Sequence, residues 1–129
     1  MKVWQKLEQE LSKEQKVDVI VMYRPVNGAE LALVQASGFK KWPPRLPEQP
    51  IFYPVTNEKY ACEIAERWNV KDFGEGYVTR FSVQKAFMDN YQIQQVGDVY
   101  HTEWWIPAEH LEQFNAHIVG DIEVVKSFT

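Results

Sequence analysis

A single cysteine, Cys62, stands in the 129 residues, which excludes an internal disulfide and leaves no second thiol to share a metal ion. Long apolar runs are missing. The longest near the N-terminus, VIVMY at 19–23, falls far short of the roughly 20 residues that a membrane-spanning helix needs. Positive charge is not in excess either: the net charge is −4, so no global field draws nucleic acid, and that partner is disfavoured. No glycine-rich loop of the kind that cradles phosphates and no nucleophile-elbow pattern is found. The opening residues lack the charged and apolar regions of a secretory signal, so the expected location is cytoplasmic, without a membrane partner.

What remains is an ordinary globular composition, 45% hydrophobic and 25% charged, at a length that suits one domain. Aromatic residues reach 14%, with five tryptophans, enough to wall a stacking pocket as well as fill a core. Five of the seven prolines fall between Pro43 and Pro54, in KKWPPRLPEQPIFYPV, together with Trp42, Phe52, Tyr53, Lys40, Lys41 and Arg45. Prolines restrict the unfolded chain and hold a loop extended, so this stretch is expected to cover a sheet edge or core. Its cations and aromatics also make a stiff rim suited to phosphates and a base.

The periodicity predicts an α+β domain with a mixed, largely antiparallel sheet and packed helices. Residues 1–16 read as an amphipathic helix with Val3, Leu7 and Leu11 on one stripe beside Trp4, an appendage that would mediate homodimerisation; residues 17–129 form the single domain. A strand is expected from about Val17 to Arg24, ended by Pro25, then a short helix capped by Asn27 and stopped by Gly38. TNEKYACEIAERWNV reads as the best helix, with Thr56 or Asn57 as cap and Tyr60, Ala61, Ile64, Ala65 and Trp68 on its buried face. GYVTRFSV alternates as a strand. Gly97 and Asp98 mark the turn of a hairpin, a helix carries Leu111, Phe114 and Ile118, and IEVVKSF closes as a strand.

YRPV, GFKKWPPRLPEQPIFYPVTNEKYACEIAERWN, GYVTRFSV and HTEWWIPAEHLEQFNAHIVGDIEVV together resemble an uncharacterised bacterial family of stand-alone domains that goes by the combined name ADP-ribosylation/crystallin. The resemblance covers about Met22 to Val125. It implies, more weakly, an ADP-ribosyltransferase-like fold, with an Arg or His on an early strand, aromatics in the middle and a Glu on a late strand. Arg24, Tyr53, Tyr60 and the HTE of His101 to Glu103 stand in that order. No Ser-Thr-Ser element follows the central strand; YPVT occupies something like its place.

On this reading the partner is a nucleotide such as NAD, used as substrate, with a protein as acceptor. Breaking the nicotinamide–ribose bond develops positive charge on the ribose, which a fixed Glu103 carboxylate would stabilise. His101, two residues away on the same strand face, would hold the carboxylate or the ribose. Arg24 and Arg45 would grip phosphates and Tyr53 and Tyr60 would wall the pocket. The plain alternative makes Glu103 a solvated strand residue and Arg24 a salt-bridge residue. His110 and His117, seven apart, do not supply the three or four converging ligands a zinc ion needs, so no metal is expected. Cys62 has no nearby base in sequence and reads as a buried structural thiol. The rival function is a non-enzymatic module whose aromatic-rich cleft takes a peptide or partner protein.

Overall fold

The computed structural model describes residues 18–129. The expected N-terminal helix, and with it the dimer role, lies outside the described residues.

The β-branched run at the start forms β1 (Val19–Val26), which continues through Pro25 to Val26 rather than ending before the proline. The reason lies in the ladder. The N–H and C=O of Tyr23 point to Val55, so the nitrogen of Pro25, two residues on, also points away from β3 (Gly76–Gln84), and its missing N–H costs no bond there. β3 pairs antiparallel with β1 on one side and with β7 (Ile118–Phe128) on the other. A hairpin of β4 (Ile93–Gln95) and β5 (Thr102–Trp104) is antiparallel too, as is the short pair β2 (Ile51–Phe52) and β6 (Ile106–Pro107). Every strand pairing among the described residues is antiparallel, and helices pack on the sheet: the protein is α+β.

Val55 joins these pieces. Its own N–H and C=O exchange bonds with Tyr23 at 2.7 and 2.9 Å, while its neighbours bond β5: Trp104 N–H to Pro54 O at 3.0 Å and Thr56 N–H to Thr102 O at 3.1 Å. Residues directly opposite one another in a ladder share a face, so Tyr23, Val55 and Glu103 point one way. Met22, Arg24 and Val26 point the other.

Each face has its own core. The larger holds Met22, Val26, Phe81, Val83 and Trp104 from the sheet. Val34 of α1 (Gly28–Ala36), Trp42 and Phe52 of the proline loop, and Leu111 and Phe114 of α5 (Leu111–Ala116) close over it. Asn27 caps α1 by accepting the Glu30 N–H at 2.8 Å, and Gly38 ends it at φ +77°. The smaller core sets Val55 and Val78 against Ala61 of α2 (Glu58–Ile64) and Ala65. Asn57, as expected, caps α2 through the Tyr60 N–H at 2.8 Å.

Beyond Ile64 the helix widens into a π-helical stretch, Ala65–Asn69, before the last turn α3 (Val70–Phe73). That extra residue per turn rotates Trp68 off the buried face, contrary to the 3.6-residue reading, and leaves it 58% exposed. β3 passes so close beneath that a Cβ at Gly76 would lie 2.6 Å from the Ala65 carbonyl oxygen, which only glycine permits. The short helix α4 (Lys85–Met88) follows β3.

The proline loop is tied at both ends. Asn115 on α5 grips the Trp42 backbone twice, accepting its N–H and donating to its C=O, each at 2.9 Å. Further on, Arg45 donates to Ile51 O at 3.1 Å, and Pro50 O accepts the Ala108 N–H at 2.9 Å. Asn115→Ala should therefore cost about 2 kcal/mol, since it leaves a backbone N–H and C=O of a buried residue unpaired. Thermal melting should show Tm lower by roughly 6–8 °C. An unchanged Tm would mean that the loop does not depend on this clamp.

Candidate functional site

The residues singled out in the sequence fall into two groups, one on each face of the sheet. On the face of the smaller core, Glu103 is 7% exposed and accepts the Tyr60 O–H at 3.2 Å. The Tyr60 ring also lies against His101, with ring centroids 4.7 Å apart, so these three expected site residues do meet. Burial pushes the Glu103 carboxyl up from its ordinary value, only partly offset by hydrogen bonds from Tyr60 and Trp105. Burial, followed by the Glu103 charge, pushes the Tyr60 phenol up to about 12.

His101 is fully engaged. Its Nδ1 accepts the Asp98 N–H at 3.0 Å, so its Nε2 carries the proton and donates to Glu63 at 2.8 Å. Glu63 also accepts the Tyr100 O–H at 2.6 Å and lies 3.8 Å from Arg67, while Lys59 stands over the Tyr100 ring at 4.1 Å. The Tyr100 hydrogen bond, then that of His101, holds the Glu63 carboxyl below its ordinary value. With both ring nitrogens used, His101 fastens the 97–101 turn and has no lone pair to offer a substrate. A Cβ at Gly97 would sit 2.5 Å from its Nδ1, so glycine there makes room for the ring. Glu63 was absent from the sequence reading; its placement on the exposed side of α2 gave no signal until the turn folded onto it.

On the face of the larger core, Arg24 is 6% exposed and forms a two-pronged pair with Glu30, at 2.6 and 3.0 Å. Its guanidinium lies over Phe52 at 4.6 Å, with Trp42 at 5.7 Å and Tyr53 at 5.8 Å. Arg45 shares the Phe52 ring at 5.8 Å, and its guanidinium is pushed down by burial first and by Arg24 second. Arg24 and Glu103 therefore do not open into one hollow. Tyr53 lies beside the arginines and also near Tyr60, whose phenol it helps to push up, while Tyr60 holds the carboxylate; neither of the two hollows described below is lined by Arg24, Tyr53, Tyr60, His101 or Glu103.

A cleft of about 650 Å³ runs between the end of α1, the proline loop and the start of α5. Leu33, Trp42, Pro43, Pro44, Ala108 and Leu111 give it an apolar floor and walls, with Lys41 and Arg45 on the loop side and Glu109 and Glu112 on the helix side. Two of its lining residues carry a buried donor with no hydrogen-bond partner among the described residues: the Trp42 indole Nε1 and the Arg45 Nε. A second hollow of about 430 Å³, between α4, β4 and Trp104, has no cationic lining residue. Among the described residues no group of three or more His, Cys, Asp or Glu is placed to hold a metal; His110 bonds Tyr91 at 2.9 Å and His117 stacks on Phe87 at 4.4 Å. No helix among them is long and apolar enough to cross a membrane. Comparison with protein-family models, curated proteins and solved structures finds no match to the chain.

The raised Glu103 carboxyl fixes a pH dependence. Its stabilising contribution is fully present below the unfolded-state value and is lost as pH rises through the higher folded-state value. Glu63 has the opposite sign: its contribution is present above the ordinary value and lost as pH falls through the lowered one. Glu103→Gln keeps an acceptor for Tyr60 and removes the buried charge, so it should stabilise the protein at pH 7 by about 1 kcal/mol, roughly 3–4 °C in Tm. The gain should shrink toward zero near pH 4. A lower Tm for this variant at pH 7 would show that the carboxylate is stabilised by a partner.

Proposed function

We propose that the protein is a non-enzymatic binding module and that the cleft beneath the proline loop receives an apolar segment of a partner protein. The observation that carries this reading is the cleft itself. Its volume lies in the range of recognition sites, its lining is mostly apolar, and a loop tied down by Asn115 and Ile51 presents its polar groups rigidly. A preformed surface of this kind lowers the ordering cost of association. Leu33, 57% exposed at the cleft wall, supplies apolar area left open among the described residues.

The NAD-using transferase that the sequence resembles stands second. It requires a phosphate-gripping guanidinium beside the late-strand carboxylate. Arg24 is neutralised by Glu30 on the opposite face, and neither cleft contains Glu103.

The two readings separate in one selection. Peptides of about twelve residues, selected from a random library on the immobilised chain, should bind Leu33→Asp at least tenfold more weakly than the parent and Glu103→Gln equally well. Millimolar NAD should leave Tm unchanged. Failure to select any peptide, or an NAD-induced rise in Tm that Glu103→Gln abolishes, would overturn the binding-module reading.

A further inference from the structure

Independently of the cleft, we propose a second binding site on the other face of the sheet. There Tyr53, Tyr60 and Trp105, set around the Glu103 carboxylate, take a methylated ammonium group, as carried by a choline-type solute or a methylated lysine side chain.

The backbone ladder brings these side chains together. Ile51 stands opposite Pro107, Phe52 opposite Ile106 and Val55 opposite Glu103, with the Trp104 N–H on Pro54 O between them. The register is unbroken, so Tyr53 stands opposite Trp105. Side chains alternate along such a ladder: Phe52, Trp104 and Ile106 enter the larger core, and Tyr53, Glu103 and Trp105 take the other face. Their polar ends converge. The Tyr60 O–H and the Trp105 side chain both hydrogen-bond the Glu103 carboxylate, and Tyr53 lies close enough to act on the Tyr60 phenol. Tyr53 and Trp105 are nevertheless 45% and 47% exposed, so aromatic surface beside the buried carboxylate is open to solvent.

Charge gives the site its sign. The buried polar residues among those described are Arg24, Thr79 and Glu103. Arg24 has the Glu30 carboxylate, and Thr79 donates to Arg24 O at 2.8 Å. Glu103 has hydrogen bonds but no opposite charge: among the described residues no ion pair includes it, and both of its donors are neutral. A carboxylate buried in this way is costly as an anion, which is why burial pushes its carboxyl up. Cations on the neighbouring elements are engaged elsewhere. Lys59 stands over the Tyr100 ring, Arg67 faces Glu63, and Arg24, although 5.8 Å from the Tyr53 ring, is neutralised by Glu30. A ligand that completes the site brings positive charge.

The surface then selects among cations. A metal ion needs several converging ligands, and among the described residues no such group is placed to hold one. A bare ammonium carries three donors and a tight hydration shell, and the one carboxylate here already accepts from Tyr60 and Trp105. A methylated ammonium has the same charge with few or no donors to satisfy. Its stabilisation comes from ring faces, Trp above all and then Tyr, with a carboxylate near enough to balance the charge. Trp105, Tyr53 and Tyr60 around Glu103 supply that combination.

The test uses the whole ¹⁵N-labelled chain at mildly alkaline pH, which favours the ionised Glu103, and three probes. Choline is compared with 3,3-dimethyl-1-butanol, which has its shape with carbon in place of nitrogen, and with ethanolamine, which has its charge on a bare ammonium. Choline should shift the Trp105 indole N–H signal, identified by its loss in Trp105→Phe, saturably and with affinity about fivefold tighter than either comparison compound. Glu103→Gln should remove the preference for choline over the alcohol, and Tyr53→Leu, at an exposed position, should weaken choline about threefold. A capped trimethyllysine that binds tighter than choline assigns the group to a protein side chain, and the reverse order assigns it to a free solute; either order supports the site. Choline no tighter than the alcohol or ethanolamine, a preference that survives Glu103→Gln, or a Trp105 signal that does not move would overturn the proposal. None of these outcomes bears on the cleft.

Discussion

The bonds at Val55 govern the arrangement of everything else. One residue, fully buried, exchanges both backbone bonds with Tyr23 while its neighbours Pro54 and Thr56 bond β5. It thereby stitches the β4–β5 hairpin to the three-stranded sheet. Side chains alternate along a strand with period two, so a bridge at this register leaves no freedom about which residues share a face. Tyr23, Val55 and Glu103 go with α2; Met22, Arg24, Val26 and Trp104 go with α1, the proline loop and α5. Sliding the bridge by one residue would exchange the two sets between the two cores.

From that partition the chemistry of each face follows. The Arg24 guanidinium lands in the aromatic core, where an unpaired charge would be costly, and Glu30 on the first turn of α1 neutralises it while Phe52, Trp42 and Tyr53 surround it. Arg45 arrives beside this filled site without a carboxylate of its own. The proline loop is what brings it there: pinned at Trp42 by Asn115 and at its far end through Ile51 and Pro50, it sets Arg45 along the cleft wall while the Trp42 indole packs in the larger core. Across the sheet, Glu103, Tyr60, His101 and Glu63 bond one another or the backbone, and a network so closed serves to fasten the 97–101 turn to α2.

How much of this could be read from the residues differs by element. Caps were legible because the signal is local: Asn27 and Asn57 precede apolar stripes and bond the amide three residues on. The hairpin was legible too, but not as a two-residue turn: the strands stop at Gln95 and resume at Thr102, the tight bond runs from the His101 N–H to Asp98 O, and His101 lies just outside the strand that carries Glu103. Trp68 was not, because a π-helical turn shifts the phase of a helix without leaving a mark in composition. Pro25 misled because its cost depends on which side of the strand has a partner, a tertiary fact. The expectation that Arg24 and Glu103 share a hollow failed at a single bridge between residues 48 positions apart on its β5 side, which no periodicity encodes. The loop's stiffness was evident from its prolines, but its clamp by Asn115, 73 positions on, is a tertiary contact that no local pattern encodes.

The partition by Val55 has a thermodynamic signature that one double-mutant cycle can read. Chemical denaturation of the parent, Arg24→Met, Glu103→Gln and the double variant gives the coupling free energy between the two groups. Separate faces predict additivity, with a coupling below about 0.5 kcal/mol. A coupling of about 1 kcal/mol or more would put guanidinium and carboxylate in one site and contradict the account.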